Sequence, residues 1–279
     1  LRIGAGLVTA AVPVAALPIV ASFAPELMTW PLETTPEGQI SPANLAPGRL
    51  ADFTRGITVL ALGPGLGQSD VTAQFSIGLL QATTMPAVLD ADALNILAMH
   101  PDRLATLARD GRAPGGRTVV LTPHPGEMAR LAGLTTAEVQ DDRLGIARGF
   151  AARHGVIVVL KGARTLVAQP DGRIAVNTSG NPGMAKGGSG DVLTGVVAGL
   201  LAQFPRDPDR AVEAAVWLHG LAADLAVRDT DEHTLLATDT LSRFSSAFRI
   251  HSRAANGYLW LQGLPDKSTS AMGSCEAAE

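Results

Sequence analysis

The chain has 279 residues, of which 46% are apolar, 4% aromatic and 17% charged, and its formal net charge is −4. This length is enough for one large α/β domain, and 30 glycines with few aromatic residues are typical of helices packed closely on a buried parallel sheet. An acidic balance without a basic run argues against nucleic-acid binding. The single cysteine, Cys275, excludes an internal disulfide, and no His/Cys cluster has zinc-ligand spacing. We therefore expect a cytoplasmic protein without nucleic-acid partners.

The first residues, Leu1–Phe23, are apolar enough to resemble a membrane span or a signal peptide. However, Pro13 and Pro18 interrupt the run, and Arg2 is its sole basic residue. We therefore interpret Gly4–Pro13 (GAGLVTAAVP) as the end of a helix followed by a strand, and we expect no membrane association.

Short β-branched runs that stop at glycine, proline or polar residues alternate with helical stretches along the chain. This alternation predicts βαβ units, and hence a mostly parallel sheet with helices on both faces. The predicted strands are Ile57–Leu62, Ala87–Leu89, Thr118–Leu121 and Val156–Leu160. The predicted helices are Asp70–Gln81, Asp92–Leu107, Glu127–Leu131, Asp141–His154, Val192–Phe204 and Asp209–Val227, while Thr34–Pro47 is predicted to be a loop. The pattern ends at His251, so we expect one domain over residues 1–250 and an irregular tail over residues 251–279.

The most specific feature of the sequence is the glycine-rich segment Asn181–Asp191 (NPGMAKGGSGD), which leads directly into a predicted helix. Backbone N–H groups at a helix N-terminus form an anion site, and glycines let a phosphate approach them closely. Asp191 lies beside this site, where it is placed to act as a general base toward a hydroxyl that attacks a phosphoryl group. The alternative is that Asp191 only caps the helix.

Other unusual loops follow the predicted strands, at the sheet edge where ligands of α/β proteins bind. The segment Gly63–Gly67 (GPGLG) is either a ligand-binding loop or only a tight turn. Asp90 and Asp92 are candidates for capping the next helix, and we expect capping to be the main role of Asp92. His124 follows the third strand and Lys161 the fourth; the simplest alternatives for them are a surface histidine and a solvated lysine.

Taken together, these segments resemble the ADP-dependent NAD(P)H-hydrate dehydratase family of the ribokinase-like superfamily. The matching segments are GAGLVTAAVP at Gly4, LGPGLGQ at Leu62, VLDADALNIL at Val88, LTPHPGEMARL at Leu121, VLKGARTLVA at Val159 and NPGMAKGGSGDVLTG at Asn181. The resemblance covers about Leu1 to Arg249. It implies a ribokinase-like three-layer α/β/α fold. It also implies a lyase that regenerates NADH or NADPH from the S epimer of the hydrated cofactor, with cleavage of ADP to AMP and phosphate and with Mg²⁺ as cofactor.

The resemblance also implies roles for individual residues. Asp191 would be the catalytic residue, and it would bind the substrate together with Gly65 and His124. Glu127 occupies the place where related kinases keep a carboxylate that is linked to Mg²⁺, although no metal ligand is assigned. The nucleotide would bind Lys161, Gly162, Ala163, Arg164, Thr165 and Gly190.

The sequence departs from the family pattern in several places. Lys186 stands where threonine is more usual, and the strand, glycine-rich turn and helix that usually precede GAGLVT do not appear, so we expect the present chain to be less stable and less active than a version extended at its N-terminus. By resemblance we expect a homotetramer that works together with an NAD(P)H-hydrate epimerase. Two other functions remain open: a ribokinase-like kinase for a hydroxyethylthiazole or hydroxymethylpyrimidine, and an inactive nucleotide-binding protein.

Overall fold

The computed structural model describes residues 1–112 and 116–250, so the predicted tail over residues 251–279 lies outside it. The strands are β1 Thr9–Pro13, β2 Met28–Leu32, β3 Leu60–Leu62, β4 Ala87–Leu89, β5 Val119–Leu121, β6 Ile157–Leu160, β7 Leu166–Ala168 and β8 Ile174–Val176. The helices are α1 Leu17–Ala21, α2 Pro47–Thr54, α3 Asp70–Ala82, α4 Ala91–Met99, α5 Pro101–Arg112, α6 Pro125–Ala132, α7 Thr136–Asp141, α8 Arg143–His154, α9 Ser189–Gln203, α10 Pro208–Ala226 and α11 Ala237–Ile250.

The central sheet has six strands in the order β3-β4-β5-β6-β7-β8. The first four strands are parallel, because each is connected to the next through helices, whereas β6, β7 and β8 pair antiparallel. The strands β1 and β2 form a separate parallel pair. The predicted mostly parallel sheet is therefore confirmed.

Alternate residues of the central strands face two different helix layers. One hydrophobic cluster contains side chains of β4, β5 and β6 together with those of α3, α4, α6 and α8, including Leu89, Leu121 and Leu160. The other cluster contains the intervening side chains with those of α9, α10 and α11, including Val88, Val120 and Val159. Both faces of the sheet are thus covered, which confirms the predicted three-layer α/β/α architecture.

Two predicted elements differ from the structure. The expected helix Asp92–Leu107 is two helices, α4 and α5, which meet at His100. This residue precedes Pro101, and a residue before proline is disfavoured in the α-helical conformation. The expected helix end before β1 was also wrong: Leu1–Gly4 forms a turn in which the Gly4 N–H donates to the Leu1 carbonyl, and Ile3 is buried.

Several elements were not predicted at all. They are β2, the β7–β8 hairpin and the helices α1, α2, α7 and α11. The region Thr34–Pro47 is mostly loop as predicted, with a single bridge between Thr34 and Ile40 and a 3₁₀ turn at Pro42–Leu45. Within the described part of the chain, no helix is both long and apolar enough to cross a membrane.

Candidate active site

The carboxyl ends of β3, β4, β5 and β6 lie at one edge of the sheet, because these strands are parallel. Each of these strands ends at one of the loops singled out in the sequence: Gly63–Gly67, Asp90–Asp92, Thr122–Glu127 and Lys161–Thr165. The N-terminus of α9 reaches the same edge, since a Cβ added at Gly190 would lie 3.4 Å from Lys161 Nζ. The fold therefore brings the predicted loops together, as expected for a ligand site of a parallel sheet.

A partly buried ion pair joins two of these strand ends. Lys161 Nζ lies 2.7 Å from Asp90 Oδ1 and 3.8 Å from Glu127 Oε2. The Asp90 side chain is only 2% exposed, and Thr194 Oγ1 donates to its second oxygen at 2.8 Å. Asp90 stands at the N-cap position of α4 but makes no capping hydrogen bond with its side chain. The interpretations of Asp90 as a helix cap and of Lys161 as a solvated lysine were therefore wrong.

The first turn of α9 presents backbone donors at this edge. Gly188, in a left-handed conformation with φ 87°, is the N-cap residue and provides no capping side chain. Among the residues that the structure describes, the N–H groups of Gly190 and Asp191 have no acceptor. Asp191 lies in the first turn, and its side chain is exposed. This arrangement leaves donors and a carboxylate available to a ligand.

The loop Gly63–Gly67 is held in place by a residue whose role the sequence did not indicate. Asp92 Oδ2 accepts from the Gly67 N–H at 2.8 Å, and Asp92 Oδ1 accepts from Gln68 Nε2 at 2.6 Å. Asp92 therefore fixes this loop instead of capping the helix. Gly63, at φ 139°, must be glycine because a Cβ there would overlap the Asp90 carbonyl, while Gly65 is exposed with open space beside it.

His124 caps α6 and is half exposed. Its Nδ1 accepts from the N–H groups of Gly126 at 3.0 Å and Glu127 at 3.3 Å, and Glu127 Oε2 accepts from the His124 N–H at 2.7 Å. Because Nδ1 is an acceptor, the neutral ring carries its proton on Nε2. That atom lies 3.5 Å from Glu127 Oε1. His124 is thus oriented by the HPGE turn, and Nε2 is its remaining ring donor.

The turn that follows β6 is arranged by Arg143, the first residue of α8. Its guanidinium donates to the carbonyls of Ala163 at 2.6 Å, Leu160 at 3.3 Å and Lys161 at 3.4 Å, and burial lowers the pKa of Arg143. In the same turn, Gly162 has φ 136° and Arg164 has φ 58°. A non-glycine residue in that region is uncommon and marks a constrained turn.

Arg164 and Thr165, two of the residues predicted to bind the nucleotide, make further hydrogen bonds in and near this turn. Arg164 Nη1 donates to the Thr178 carbonyl at 3.3 Å, and Thr165 Oγ1 donates to the Gly162 carbonyl at 3.0 Å. Sequence analysis missed Arg143, because an arginine in the first turn of a helix has no motif of its own.

Two further residues that sequence analysis missed lie on α10. His219 is buried, and its ring hydrogen bonds to the backbone of Ser189 in the first turn of α9. Burial lowers the pKa of His219 to about 4, although the hydrogen bond opposes this shift. Asp224 accepts from the Gly180 N–H at 2.8 Å and from Asn181 Nδ2 at 2.9 Å. Both residues therefore contact the glycine-rich segment from helix α10.

A three-layer α/β sandwich whose parallel strands end beside a glycine-rich helix N-terminus, with an aspartate in the first turn of that helix, is the architecture of ribokinase-like proteins. A family model described as NAD(P)H-hydrate dehydratase matches residues 1–245. The chain belongs to this family, which confirms the resemblance found in the sequence.

Known proteins with similar sequences or folds have names that agree with this family membership. The chain is 46% identical over 245 residues to a bifunctional NAD(P)H-hydrate repair enzyme of Moorella thermoacetica, with 86% of this chain and 43% of that protein covered. It is 48% identical over 170 residues to an ADP-dependent (S)-NAD(P)H-hydrate dehydratase of Neisseria meningitidis, with 61% and 55% covered. The crystal structure of an ADP/ATP-dependent NAD(P)H-hydrate dehydratase from Bacillus subtilis, co-crystallised with ATP and Mg²⁺ and soaked with CoA, matches with a TM-score of 0.69. It is 31% identical, with 89% of this chain and 83% of that chain covered. The present chain thus spans less than half of the first of these relatives.

Proposed function

We propose that this chain catalyses the ADP-dependent dehydration of the S epimer of hydrated NADH or NADPH, which regenerates NAD(P)H and releases AMP and phosphate. The observation that carries the proposal is the first turn of α9. There, unpartnered N–H groups of Gly190 and Asp191 and an exposed Asp191 carboxylate lie at the strand edge that also holds the Lys161–Asp90 pair. Family membership supports the same activity.

The chemistry requires a hydroxyl group, which is a poor leaving group, to become a good one. Asp191 would take the proton of the substrate hydroxyl, whose oxygen then attacks the β-phosphorus of ADP while the bond to the AMP oxygen breaks. The α9 N–H groups would stabilise the charge on the transferring phosphoryl group. Loss of phosphate with a proton from the neighbouring carbon then restores the double bond of the dihydropyridine ring.

The loops at the sheet edge divide into two sides. We assign Gly65, His124 and Asp191 to the hydrated cofactor, since Gly65 has open space beside it and the His124 side chain is half exposed. We assign Gly190 and the turn Lys161–Thr165 to the nucleotide. Arg143 donates to three carbonyls at the end of β6 and in this turn, which fixes the backbone of the turn before a nucleotide binds.

Mg²⁺ fits this site when it enters with the nucleotide. In the described ranges 1–112 and 116–250, no three His, Cys, Asp or Glu side chains form a metal site. Mg²⁺ needs few protein ligands because it keeps much of its water shell and binds phosphate oxygens. Glu127, whose Oε1 lies 3.5 Å from His124 Nε2, would hold the ion through water. The ion would neutralise charge on the phosphates.

The assembly follows from resemblance. We propose a cytoplasmic homotetramer that acts on the S epimer, with an NAD(P)H-hydrate epimerase supplying that epimer from the other one. The Moorella thermoacetica relative is a bifunctional repair enzyme, which supports the pairing of this activity with a second one.

The activity is tested by supplying the purified chain with hydrated NADH or NADPH, Mg²⁺ and either ADP or ATP, and following the absorbance of the reduced cofactor. We expect turnover with ADP. Phosphorylation of a thiazole or pyrimidine alcohol without any regeneration of NAD(P)H would instead identify a kinase. Heat stabilisation by ADP without any turnover would identify an inactive nucleotide-binding protein.

A further inference from the structure

Helix α10 contacts the glycine-rich segment at the segment's beginning. Both carboxylate oxygens of Asp224 are used there: Oδ2 accepts from the Gly180 N–H at 2.8 Å, and Oδ1 accepts from Asn181 Nδ2 at 2.9 Å. Asp224 is half-buried and lies 44 residues along the chain from Gly180. A side chain of α10 thus holds the backbone at Gly180, four residues after the end of β8.

Asn181 connects Asp224 to the residues that follow it by hydrogen bonds. Its Oδ1 accepts from the Gly183 N–H at 3.1 Å, so its two polar atoms link Asp224 to the 3₁₀ turn Pro182–Met184. Gly183 is itself packed tightly, because a Cβ there would lie 2.6 Å from the Glu232 carbonyl oxygen. The turn is therefore held from two sides.

Helix α10 also contacts the end of the segment. His219, five residues before Asp224, hydrogen bonds to the backbone of Ser189, which is the residue before Gly190. The neighbouring Gly220 lets the two segments approach closely, since a Cβ there would lie 2.8 Å from the Gly180 backbone nitrogen. Helix α10 consequently contacts the segment at both of its ends.

We propose that Asp224 is a positioning residue for the reaction, and this inference rests on the proposed function. The segment from Gly180 to Gly190 contains five glycines, which have the greatest conformational freedom to lose on ordering. Donors that stabilise a transferring phosphoryl group act only when they are held in place before the reaction. Asp224 fixes the segment so that the first turn of α9 meets the phosphoryl group and Asp191 meets the hydroxyl.

The hydrogen-bond pattern allows a test by exchange of atoms. In Asp224→Asn, one carboxylate oxygen becomes an NH₂ group that faces an N–H donor, so one of the two bonds is lost. In Asn181→Asp, two carboxylates face each other. In the double variant Asn181→Asp/Asp224→Asn, the new amide oxygen accepts from Gly180, its NH₂ donates to the new carboxylate, and that carboxylate still accepts from Gly183. The net charge of the double variant equals that of the wild type.

We expect each single variant to lower kcat by about 10-fold to 100-fold, since small displacements of reacting groups have effects of this order. The double variant should recover to within about 3-fold of the wild type, because its bonds are restored. Asp209→Asn, also on α10 but paired with Arg173, is the matched control and should leave kcat unchanged. A double variant no better than the worse single variant would overturn the proposal.

Amide hydrogen exchange of the full chain gives a readout that does not need turnover. We expect faster exchange over residues 179–191 in each single variant and wild-type exchange in the double variant, with the central strands unchanged in all of them. Unchanged exchange over residues 179–191 in Asp224→Asn would overturn the inference, whatever the activity. If the wild type shows no turnover, the proposed function fails. The inference is then decided by this exchange and by calorimetric ADP affinity, which should fall in the single variants and recover in the double.

Discussion

The buried imidazole of His219 makes the stability of this fold depend on pH in a calculable way. Its pKa is lowered from about 6.5 in the unfolded chain to about 4 in the folded protein, mainly because burial disfavours the charged ring. Between these two values the unfolded state binds more protons than the folded state, so stability falls as the pH falls from about 6.5 to about 4. Above that window the ring is neutral in both states, and its contribution to the pH dependence vanishes.

The size of the effect follows from the same two values. A difference of about 2.5 pKa units corresponds to a full penalty of about 3 kcal/mol below about pH 4, of which about 2 kcal/mol is already reached at about pH 5. In His219→Gln, which keeps an N–H donor but cannot titrate, this part of the pH dependence should disappear.

Urea unfolding at about pH 8 and about pH 5 measures the difference directly, since carboxylates that titrate in both proteins cancel in the comparison. We expect the wild type to lose about 2 kcal/mol more than His219→Gln between these two values. His233→Gln is the control for the same substitution at an exposed histidine, because the His233 side chain is 94% exposed. Equal losses in the wild type and in His219→Gln would refute the desolvation argument.

Three further predictions concern the strand edge. Asp191→Asn should lower kcat by about 10²–10⁴-fold with little change in calorimetric ADP affinity, and a variant that keeps more than about a tenth of the rate would contradict the general-base assignment. Asp92→Ala should raise the KM for the hydrated cofactor but not that for ADP, because it releases Gly67; equal changes in both KM values would point to a general disturbance. Lys161→Met should lower the unfolding free energy by about 3–5 kcal/mol, because it leaves the buried Asp90 carboxylate without its cation, and Asp90→Asn should lower it less, because the Lys161 side chain is 20% exposed. The double variant should lose less than the sum, and additive losses would mean that the pair does not interact.

Much of the fold could be predicted from sequence, because its signals are local. The run Ala87–Leu89 has the bounds of β4, and the predicted starts of the helices at Asp70 and Asp209 lie within one residue of α3 and α10. Buried strands of a parallel sheet are continuous apolar runs, and their helices carry their own apolar stripes. The βαβ alternation therefore indicated that the strands β3 to β6 are parallel, which the structure confirms.

The hairpin β7–β8 was not predicted, for a physical reason. A strand of three residues such as Leu166–Ala168 is too short to display a period, and its stability comes from pairing with β6 and β8. The break at His100 was signalled by Pro101, but the apolar pattern continues across it.

The candidate site also has parts that the sequence indicated and parts that it did not. Three parts of the site could be recognised in the sequence, because each is one continuous stretch whose residue types are typical of its turn. They are the glycine-rich segment with Asp191, the HPGE turn with His124 and the turn after Leu160. Family membership then followed from their combination and was confirmed by comparison with known proteins.

The partners of these loops were decided only by the tertiary structure. Asp90 meets Lys161 across 71 residues and Thr194 across 104, and Asp224 meets Gly180 across 44. Periodicity and capping patterns act over a few residues, whereas these contacts exist only once the sheet order has placed separate strand ends side by side and packed α10 behind α9. Asp92 illustrates the difference: its position at the start of a helix suggested a cap, and the fold instead turned its carboxylate to a loop 25 residues away.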